Sequence, residues 1–402
     1  MRGRLVAKTW EWNPVLYSPP KYRRACAYEA FVPEVLAGAE FDLSSAVTGV
    51  MSDAQQSIMN LNTGATPALA SLARLLLRTE SIASSRVEGM QVGTRQLARA
   101  ESKVETGGNV SSTILEVIGN IDAMQLAVDE ATSADRIGVD HLVAIHTMLM
   151  VNAPNSQIAG VVRTSQNWIG GNNYNPCGAD FVPPPPEYVR PLLEDLCLAI
   201  ADESLPPLVQ AALVHAQFET IHPFDDGNGR AGRALIHIVL RRRGIATVYV
   251  PPISVVLAAE RDRYIDGLTR FRLGEMGPWV EQFSDAAARA AGLAAAYLEA
   301  VTDLMERWRN RLSEGAAPRA DAAAWAVIDV LPAHPVITAP VAAAATGRAK
   351  AAIHQALKQL VECEVLVPLS ESKRNRSWEA LGLLELLEGL ESGYPPEASG
   401  SR

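Results

Sequence analysis

The sequence predicts a mainly α-helical protein with one short β-hairpin and a small helical domain towards the C-terminal end. Three observations support this fold class. Apolar residues recur at helical spacing over most of residues 45–309. A Gly/Asn-rich loop separates two short β-type segments within residues 160–189, which predicts the hairpin. Helical segments and then two short strands around a charged tip follow residue 320.

The first 44 residues have the composition of strands and turns. They hold Trp10, Trp12, Tyr17, Tyr22 and Tyr28 beside several prolines and show little helical period. We expect this segment to form a packed N-terminal wrap.

Apolar periodicity and end signals place the helices. We expect them at 45–61, 67–88, 111–132, 136–150, 207–218, 231–243 and 283–309, with smaller ones at 321–331, 340–346 and 349–363. Pro67 starts the second helix, and residues 315–319 form a linker. The expected domains are 1–110, 111–312 and 320–390, with residues 391–402 as a tail. The pattern of helices and then a hairpin in 320–390 resembles a winged helix.

Composition and charge limit the function classes. The chain has 402 residues, 48% of them hydrophobic, a net charge of −9 and a pI near 5.4. This charge argues against a general nucleic-acid coat protein, because phosphate affinity depends on clustered Lys and Arg. Residues 318–380 contain seven Lys and Arg against six Asp and Glu, which argues against duplex DNA binding by the C-terminal domain.

Four cysteines, Cys26, Cys177, Cys197 and Cys363, are scattered without metal-finger spacing. Reduced thiols fit this pattern better than a disulfide frame, and we expect no metal at cysteine. The sequence contains no apolar leader and no run near the ~18 residues of a membrane span. We therefore expect a cytoplasmic protein that does not enter membranes.

Residues 220–235, T-I-H-P-F-D-D-G-N-G-R-A-G-R-A-L, concentrate the residue types of a catalytic site. Pro223 ends the preceding helix, so a tight loop joins two helices. Gly227 and Gly229 let the backbone approach a ligand, and a helix that opens here offers unpaired amide groups and a positive dipole end. The loop is therefore a predicted phosphate cradle.

Charged side chains surround this cradle. Arg230 and Arg233 lie three residues apart, so both guanidinium groups project from one side of the helix. Asp226 offers a hard oxygen ligand for Mg²⁺, and the imidazole of His222 can accept a proton from an incoming hydroxyl. Together these groups predict transfer of a nucleotide-derived phosphoryl group to a nucleophile on another molecule.

The run H-P-F-D-D-G-N-G-R-A-G-R resembles the signature of the Fic family, H-x-F-x-D/E-G-N-G-R-x-x-R, at every position. Members of that family transfer AMP from ATP to a hydroxyl side chain of a target protein. The resemblance implies a Fic-type helical core, with His222 as general base, Phe224 as loop anchor and Asp226 as Mg²⁺ ligand. The implied phosphate-binding residues are Gly227, Asn228, Gly229, Arg230 and Arg233.

A second resemblance lies upstream of this signature. Ser84 and Glu88 are four residues apart on one helix face, and Gly89 can close that helix. The run resembles the inhibitory motif S/T-x-x-x-E-G/N of those Fic proteins that carry it. It implies that Glu88 reaches Arg233, denies it to the γ-phosphate of ATP and so inhibits the enzyme.

The hairpin and one tyrosine complete the expected site. In Fic proteins the corresponding hairpin is a flap that holds a target segment by strand addition, although composition alone fits an ordinary surface hairpin as well. The flap corresponds to residues 169–181, and its expected target-binding residues are Ile169, Gly170, Gly171, Asn172 and Asn173. Tyr264 resembles the residue that lines the adenine in the family, and a core position fits it too.

AMP transfer is the leading function, and three others stay open. The Doc branch transfers the γ-phosphate and replaces the second signature glycine by lysine, so Gly229 favours AMP transfer. The same site could remove AMP from a modified target, with Glu88 orienting a water. A winged-helix regulator with a sensory Fic domain is the alternative from another class, and the intact signature weakens it. The target protein is unknown, and self-modification and a homodimer are left open.

Overall fold

A computed structural model describes residues 3–15, 17–63, 70–105, 107–369 and 376–396. The predicted helix start at Pro67, the tip between the two C-terminal strands and the last residues of the predicted tail lie outside these ranges. Within them, no helix is both long enough and apolar enough to cross a membrane.

The described ranges form a mainly helical fold with five short strands, as predicted. In chain order the elements are β1 Arg4–Trp10, β2 Cys26–Val32, α1 Ser45–Asn62, α2 Ala70–Val87, α3 Thr94–Glu105, α4 Ser112–Ser133, α5 Val139–Met150, α6 Pro186–Ala201, α7 Pro207–Ile221, α8 Asn228–Arg242, α9 Ile253–Ala259, α10 Arg261–Arg272, α11 Met276–Gly315, α12 Ala323–Val330, β3 Val336–Thr338, α13 Ala339–Thr346, α14 Lys350–Glu362, β4 Leu366–Pro368, β5 Ser377–Ala380 and α15 Leu383–Glu391.

Several elements differ from the sequence-based expectation. Helix α8 begins at Asn228 rather than at residue 231, because Gly227 takes a left-handed conformation and caps it. Helix α11 extends beyond the predicted 283–309 at both ends, with Trp279 and Trp308 fully buried along it. Helices α3 and α15 lie where no helix was expected, since both are short and rich in charged residues.

The chain divides into two compact units. The first contains Met1–Gln55, Asp122–Ile245 and Arg261–Asp285, and the second contains Gln56–Ile121, Ala246–Glu260 and Ala286–Arg402. Both units are assembled from segments that are distant in sequence. The continuous domain boundaries given above stay a prediction.

Helix α7 is the core of the first unit, and every residue from 208 to 221 in it is buried. Its Ala212 carbonyl accepts a hydrogen bond of 2.9 Å from the indole nitrogen of Trp279. Helices α6, α8 and α10 pack around α7. Strands β1 and β2 pair antiparallel from Arg4 opposite Val32 to Trp10 opposite Cys26, which confirms the strand character of the N-terminal wrap.

The second unit packs around α2. Glu80 of α2 is fully buried and accepts hydrogen bonds from the backbone nitrogen and hydroxyl of Ser254, at the start of α9. Arg86, near the end of α2, donates to the carbonyl and the carboxylate of Glu391 in α15. Strands β3, β5 and β4, in that order, form an antiparallel sheet beside α13 and α14.

A disulfide joins Cys26 in β2 to Cys177, so the expectation of reduced thiols is wrong for this pair. Cys197 and Cys363 are free thiols. The two bonded cysteines are 151 residues apart. Cysteine spacing predicts disulfide pairs mainly in short, cysteine-dense chains. The spacing in this chain therefore did not indicate that Cys26 and Cys177 are bonded.

Candidate active site

The predicted loop joins α7 to α8 and begins and ends with left-handed residues. His222 caps α7 with φ 49° and ψ 61°, and its backbone nitrogen donates to the carbonyl of Phe218 at 2.9 Å. Gly227 precedes α8 with φ 75°, and a Cβ there would lie 3.1 Å from Met150 Sδ and 3.2 Å from His146 Nε2. Glycine is therefore required for two reasons, its backbone conformation and the close packing around it.

Asn228 and Phe224 hold the loop in shape. The backbone nitrogen of Phe224 donates to Oδ1 of Asn228 at 2.8 Å, and Nδ2 of Asn228 donates to the Phe224 carbonyl at 2.7 Å. The Phe224 ring is fully buried and stacks on His146 with ring centroids 3.7 Å apart. Phe224 thus has the anchoring position implied by the resemblance. The Asn228 side chain thus braces the loop at the start of α8.

Arg163 and Asn167 hold the loop from outside, and sequence reasoning missed both. Arg163 Nε donates to the His222 carbonyl at 2.8 Å, and its Nη2 donates to the Pro184 and Ile221 carbonyls. Asn167 Nδ2 donates to the same His222 carbonyl at 3.1 Å and to that of Phe224 at 2.9 Å. Burial lowers the pKa of Arg163 to about 10, so the guanidinium stays charged at neutral pH.

His146 on α5 is a further missed residue. The backbone nitrogen of Gly160 donates to its Nδ1 at 3.0 Å, so its proton lies on Nε2, which donates to the Asp226 carbonyl at 2.9 Å. Burial lowers the pKa of His146 to about 4, which keeps the ring neutral and in this tautomer. One histidine therefore connects α5, the loop and the segment that leads to the hairpin.

Asp226 points its carboxylate to the outside of the loop. Its side chain is half exposed, and Nδ2 of Asn155 donates to Oδ2 at 3.3 Å. Oδ1 accepts from the backbone nitrogen of Gly227 at 2.6 Å and lies 3.7 Å from Arg230 Nη2. A half-exposed carboxylate at a phosphate loop fits Mg²⁺, which keeps several waters and needs only one or two protein carboxylates. No cluster of three acidic, His or Cys ligands occurs among the described residues.

Arg230 and Arg233 lie in the first two turns of α8. Their side chains are 2% and 0% exposed, respectively, and Arg230 Nη2 also lies 3.7 Å from Met150 Sδ. Helix α8 begins at Asn228, so the amide groups of Asn228, Gly229 and Arg230 have no acceptor within the helix. Two buried guanidinium groups beside a helix N-terminus make this a strongly anion-attracting position.

Tyr264 on α10 is buried in the core of the first unit. Its hydroxyl forms a hydrogen bond of 2.9 Å with Nε2 of His215, and its ring stacks beside the same histidine. Packing thus accounts for this tyrosine, and adenine contact stays a prediction.

The expected hairpin is reduced to one antiparallel bridge between Ile169 and Phe181. The Ile169 nitrogen donates to the Phe181 carbonyl at 2.8 Å, and the Phe181 nitrogen donates back at 3.1 Å. The backbone nitrogen of Arg163 donates to the Pro223 carbonyl of the loop instead of to a partner strand, and the prolines at 183–186 have no N–H to donate to a ladder. Gly170 has φ 74°, and a Cβ there would lie 1.9 Å from Asp180 Oδ2.

The tip beyond this bridge is held by asparagine side chains. Oδ1 of Asn172 accepts from the backbone nitrogens of Tyr174 and Asn175, while Asn173 is exposed. Gly171 has φ 71°, and a Cβ there would lie 2.7 Å from the Gly178 carbonyl. The tip is therefore a compact turn, and we call residues 169–181 the flap.

Aromatic contacts and the disulfide fix the flap to the N-terminal wrap. Trp10 meets Trp168 edge to face at 5.4 Å, and Tyr22 stacks on Tyr174 at 5.0 Å. The Cys26–Cys177 bond lies in the same contact region. On the other limb, the Arg272 guanidinium lies 3.7 Å from the centre of the Phe181 ring. The wrap is thus a structural support of the flap, a role the sequence did not indicate.

Ser84 and Glu88 belong to the second unit. Ser84 is buried within α2, whereas Glu88 lies just past the helix end and is exposed. Gly89 has φ 84°, and the Met90 nitrogen donates to the Ser85 carbonyl at 3.1 Å, which closes the helix as predicted. Arg233 belongs to the first unit, and its pairing with Glu88 stays a prediction.

The sequence matches two family models in succession. Residues 136–240, which contain α7, the loop and most of α8, match the Fic/DOC family. Residues 49–129, which contain Ser84 and Glu88, match the Fic/DOC family N-terminal model.

Curated relatives match about half of the chain. Protein adenylyltransferase fic-1 of Caenorhabditis elegans is 28% identical over 218 residues, which cover 52% of this chain and 40% of the relative. Protein adenylyltransferase Fic of Nematostella vectensis is 29% identical over 203 residues, which cover 49% of this chain and 44% of the relative. The chain therefore spans less than half the length of these relatives.

Two solved structures share the fold. A Fic family protein from Desulfovibrio desulfuricans G20 has a TM-score of 0.52 at 21% identity, covering 85% of this chain and 98% of its own. A Fic domain containing signaling protein from Bacteroides thetaiotaomicron VPI-5482 has a TM-score of 0.51 at 21% identity, covering 62% of this chain and 96% of its own. With the complete signature folded into a loop between α7 and α8, residues 136–240 form a Fic/DOC domain, and residues 49–129 match the N-terminal model of the same family.

Proposed function

We propose that the protein is an adenylyltransferase that transfers AMP from ATP to a hydroxyl side chain of a target protein. The observation that supports this most directly is the α7–α8 loop. It has an imidazole at its first residue and a glycine-capped helix N-terminus with two buried arginines at its end. The names of the curated relatives agree with this activity.

The proposed chemistry is an in-line displacement at the α-phosphorus. The hydroxyl oxygen of the target forms a bond to this phosphorus as its proton passes to His222. The bond from the α-phosphorus to the oxygen that bridges to the β-phosphate breaks, and pyrophosphate leaves. Most of the catalysis in such transfers comes from positioning and electrostatic stabilisation. The hydrogen bonds that fix the His222 backbone serve this positioning.

Phosphate and metal are assigned to the second half of the loop. The amides of Gly227, Asn228 and Gly229 would bind the α- and β-phosphates, and Arg230 and Arg233 would offset their charge. Asp226 would hold Mg²⁺, which neutralises charge on the phosphate oxygens when bound.

The target segment is assigned to the edge of the flap. In the Ile169–Phe181 bridge both polar backbone groups of Ile169 face Phe181, so those of the preceding Trp168 face the opposite edge. A target strand would add at that edge. A proline at Ile169 would therefore break the flap itself rather than remove a contact to the target.

We propose that Glu88 restrains the enzyme by pairing with Arg233. The S-x-x-x-E-G motif and the exposed position of Glu88 at a closed helix end support this assignment. Removal of AMP from a modified target is the second candidate, because a carboxylate in the same place can orient a water. A cytoplasmic location and a homodimer stay predictions, and the Cys26–Cys177 bond is more usual in oxidising compartments.

Labelled ATP tests the proposal. The full chain and its Glu88→Gly variant are each incubated with a soluble protein extract and ATP labelled at either the α- or the γ-phosphate. We expect protein labelling from the α position only, stronger in the variant, and none when His222→Ala is added. His354→Ala, which removes an exposed histidine of the second unit, is the matched control.

Three outcomes would overturn the assignment. Labelling from the γ position would indicate phosphate transfer as in the Doc branch. Loss of AMP from a target that was labelled beforehand, with no labelling by the Glu88→Gly variant, would indicate removal. Intact ATP binding with neither reaction would indicate a sensory domain.

A further inference from the structure

Six elements of the second unit follow one another as helix, strand, helix, helix, strand and strand. They are α12, β3, α13, α14, β4 and β5, and the sheet has the order β3-β5-β4. The hydroxyl of Thr338 caps α13, and Gly347 with φ 66° ends it, so that α14 starts after a turn of three residues. Two helices joined by a short turn and followed by a two-stranded hairpin are the parts of a winged helix-turn-helix.

Helix α14 has one buried and one exposed face. Ile353, Leu357 and Leu360 are fully buried or nearly so and attach the helix to its unit. Lys350, His354 and Lys358, at intervals of four residues, are exposed along the opposite face. Arg348, in the turn before the helix, is exposed too. The face presented to solvent therefore carries a line of basic side chains.

Acidic residues of the same region lie elsewhere. Between Asp329 and Glu362 the sequence has no Asp or Glu. Asp329 pairs with Arg309 of α11 at 2.6 Å, and Glu379 on β5 pairs with Arg95 and Arg99 of α3. Glu362 pairs at 3.7 Å with Lys358 at the end of α14, which leaves the first half of the helix without an acid. The start of α14 therefore carries Arg348 and Lys350 without a nearby acid in the sequence, whereas Glu362 and Glu364 lie at its end.

We propose that this face binds duplex DNA, with the start of α14 in the major groove. Arg348 and Lys350 would contact phosphates at the groove edge, and His354 would lie further along the groove. Arg376, exposed just before β5, adds a basic side chain on the hairpin that corresponds to the wing. Charge complementarity supports this occupant, because a helix start with two basic side chains and no acid matches a polyanion.

Two small side chains at the start of α14 also support binding in the major groove. Ala351 and Ala352 are exposed beside Lys350 in the first turn of α14. They let the helix backbone approach the base edges closely, which long side chains would prevent. The net charge of −9 confines the interaction to this face, since the rest of the molecule repels DNA. This function is separate from nucleotide transfer and does not depend on it.

Salt-dependent binding of fluorescein-labelled 30-base-pair duplexes to the full chain tests the proposal. A Kd below ~100 µM at low salt is expected, since non-specific binding gives about 10⁻⁴–10⁻⁶ M. The plot of log affinity against log salt should have a negative slope. Arg348→Ala with Lys350→Ala should weaken binding at least tenfold and flatten the slope by about 2, since each phosphate contact contributes ~0.9. Arg190→Ala with Arg270→Ala removes the same charge from exposed i,i+4 pairs on α6 and α10 and should change neither quantity.

Every other result overturns the proposal. If the full chain does not bind the duplex at low salt, the proposal is wrong. It is also wrong if the control substitutions weaken duplex affinity as much as Arg348→Ala with Lys350→Ala, because only net charge would then matter. Tighter binding of single-stranded RNA, or of a protein that competes for the same face, would assign the face to another partner. All four substituted residues are exposed, and circular dichroism with unchanged unfolding temperature checks that the variants fold.

Discussion

The backbone of His222 explains why its imidazole has a defined position. A non-glycine residue at φ 49° is unusual and costs on the order of 1–2 kcal/mol. Three hydrogen bonds maintain it, one from its own nitrogen to Phe218 and two to its carbonyl from Arg163 and Asn167. Strain of this kind is typical of functional sites, where a fixed geometry is more useful than stability.

Asp226 and Asp225 provide a matched pair for the metal assignment. Both are exposed neighbours, but only Asp226 is fixed by Gly227 and Asn155. Asp226→Ala is expected to weaken ATP binding in the presence of Mg²⁺ by tenfold or more, on the order of 1.4 kcal/mol, and to leave metal-free binding nearly unchanged. Asp225→Ala should have little effect on either. Calorimetric titration of ATP with Mg²⁺ and with EDTA measures the two affinities. Equal effects of the two substitutions would show that Asp226 is not the Mg²⁺ ligand.

His146 predicts a specific pH dependence of stability. Its pKa is about 4 in the folded protein against 6.5 when exposed, because burial disfavours the charged ring. The unfolded chain therefore binds a proton between pH 6.5 and 4 that the folded chain does not bind. The stability contributed by the neutral ring is complete above pH 6.5 and falls as the pH falls towards 4.

His146→Gln isolates this contribution. Glutamine keeps an Nε2 donor for the Asp226 carbonyl and does not titrate. Both unfolding temperatures should fall between pH 7 and 4.5. The decrease should be several degrees smaller for the variant than for the wild type. Asp226 and Arg230, which face the ring, and His334, whose pKa is also lowered to about 4, are present in both proteins. Parallel curves would show that His146 does not cause the difference.

At the level of elements, the flap depends on contacts outside itself. One bridge pairs its ends, the Cys26–Cys177 bond and the Tyr22–Tyr174 stack attach its tip to the N-terminal wrap, and Trp10 contacts Trp168 just before it. A loop with so little internal pairing is stable only as far as its anchors hold it. The wrap therefore controls the order of the segment to which the target strand is assigned.

Cys177→Ser is expected to loosen the flap. Protease cleavage within residues 169–181 should become roughly tenfold faster or more, because a disulfide contributes typically 2–4 kcal/mol and cleavage follows local opening. Target labelling should fall in parallel, and a dithiol reductant should have the same effect on the wild type. Cys363→Ser, which changes a free thiol, is the control. If the reductant leaves the cleavage pattern unchanged, the bond does not hold the flap.

At the level of the whole molecule, the regulatory and transfer residues lie in different units. Arg233 is fully buried in α8 of the first unit, and Glu88 is exposed in the second. The proposed regulation therefore couples a residue of the second unit to one of the first. A substitution in the catalytic loop alone does not test this coupling, so Glu88 itself must be changed.

Glu88→Gln and Glu88→Gly should both raise AMP transfer. A charge-assisted pair with Arg233 contributes on the order of 1–3 kcal/mol, so its loss should raise transfer between about fivefold and a hundredfold. Glutamine removes the charge and preserves the size, which separates electrostatics from helix-end effects. Arg233→Ala should abolish transfer, and Glu105→Gln, an exposed control in the same unit, should change nothing. Unchanged or lower transfer in both Glu88 variants, with the fold intact, contradicts the inhibitory assignment.

The sequence alone determined the helical fold class, the α7–α8 loop and the closed end of α2. These features depend on contiguous residues, whose spacing and backbone preferences act locally. Only the tertiary structure identified His146, Arg163 and Asn167, which lie 55 to 80 residues before the carbonyls that they bind at the end of α7 and in the α7–α8 loop.

The structure also decided between interpretations that composition left open or misjudged. The flap has one bridge instead of two strands, because the Arg163 backbone is bonded to the catalytic loop and the prolines at 183–186 cannot donate to a ladder. The cysteines 26 and 177 are bonded because the wrap and the flap tip meet in space. The even charge of residues 318–380 is unevenly placed, with Arg348 and Lys350 exposed at the start of α14 and Asp329 and Glu379 paired with arginines of other helices. A count of charged residues along the sequence ignores where their side chains lie on the surface. Binding depends on which charged side chains share one face.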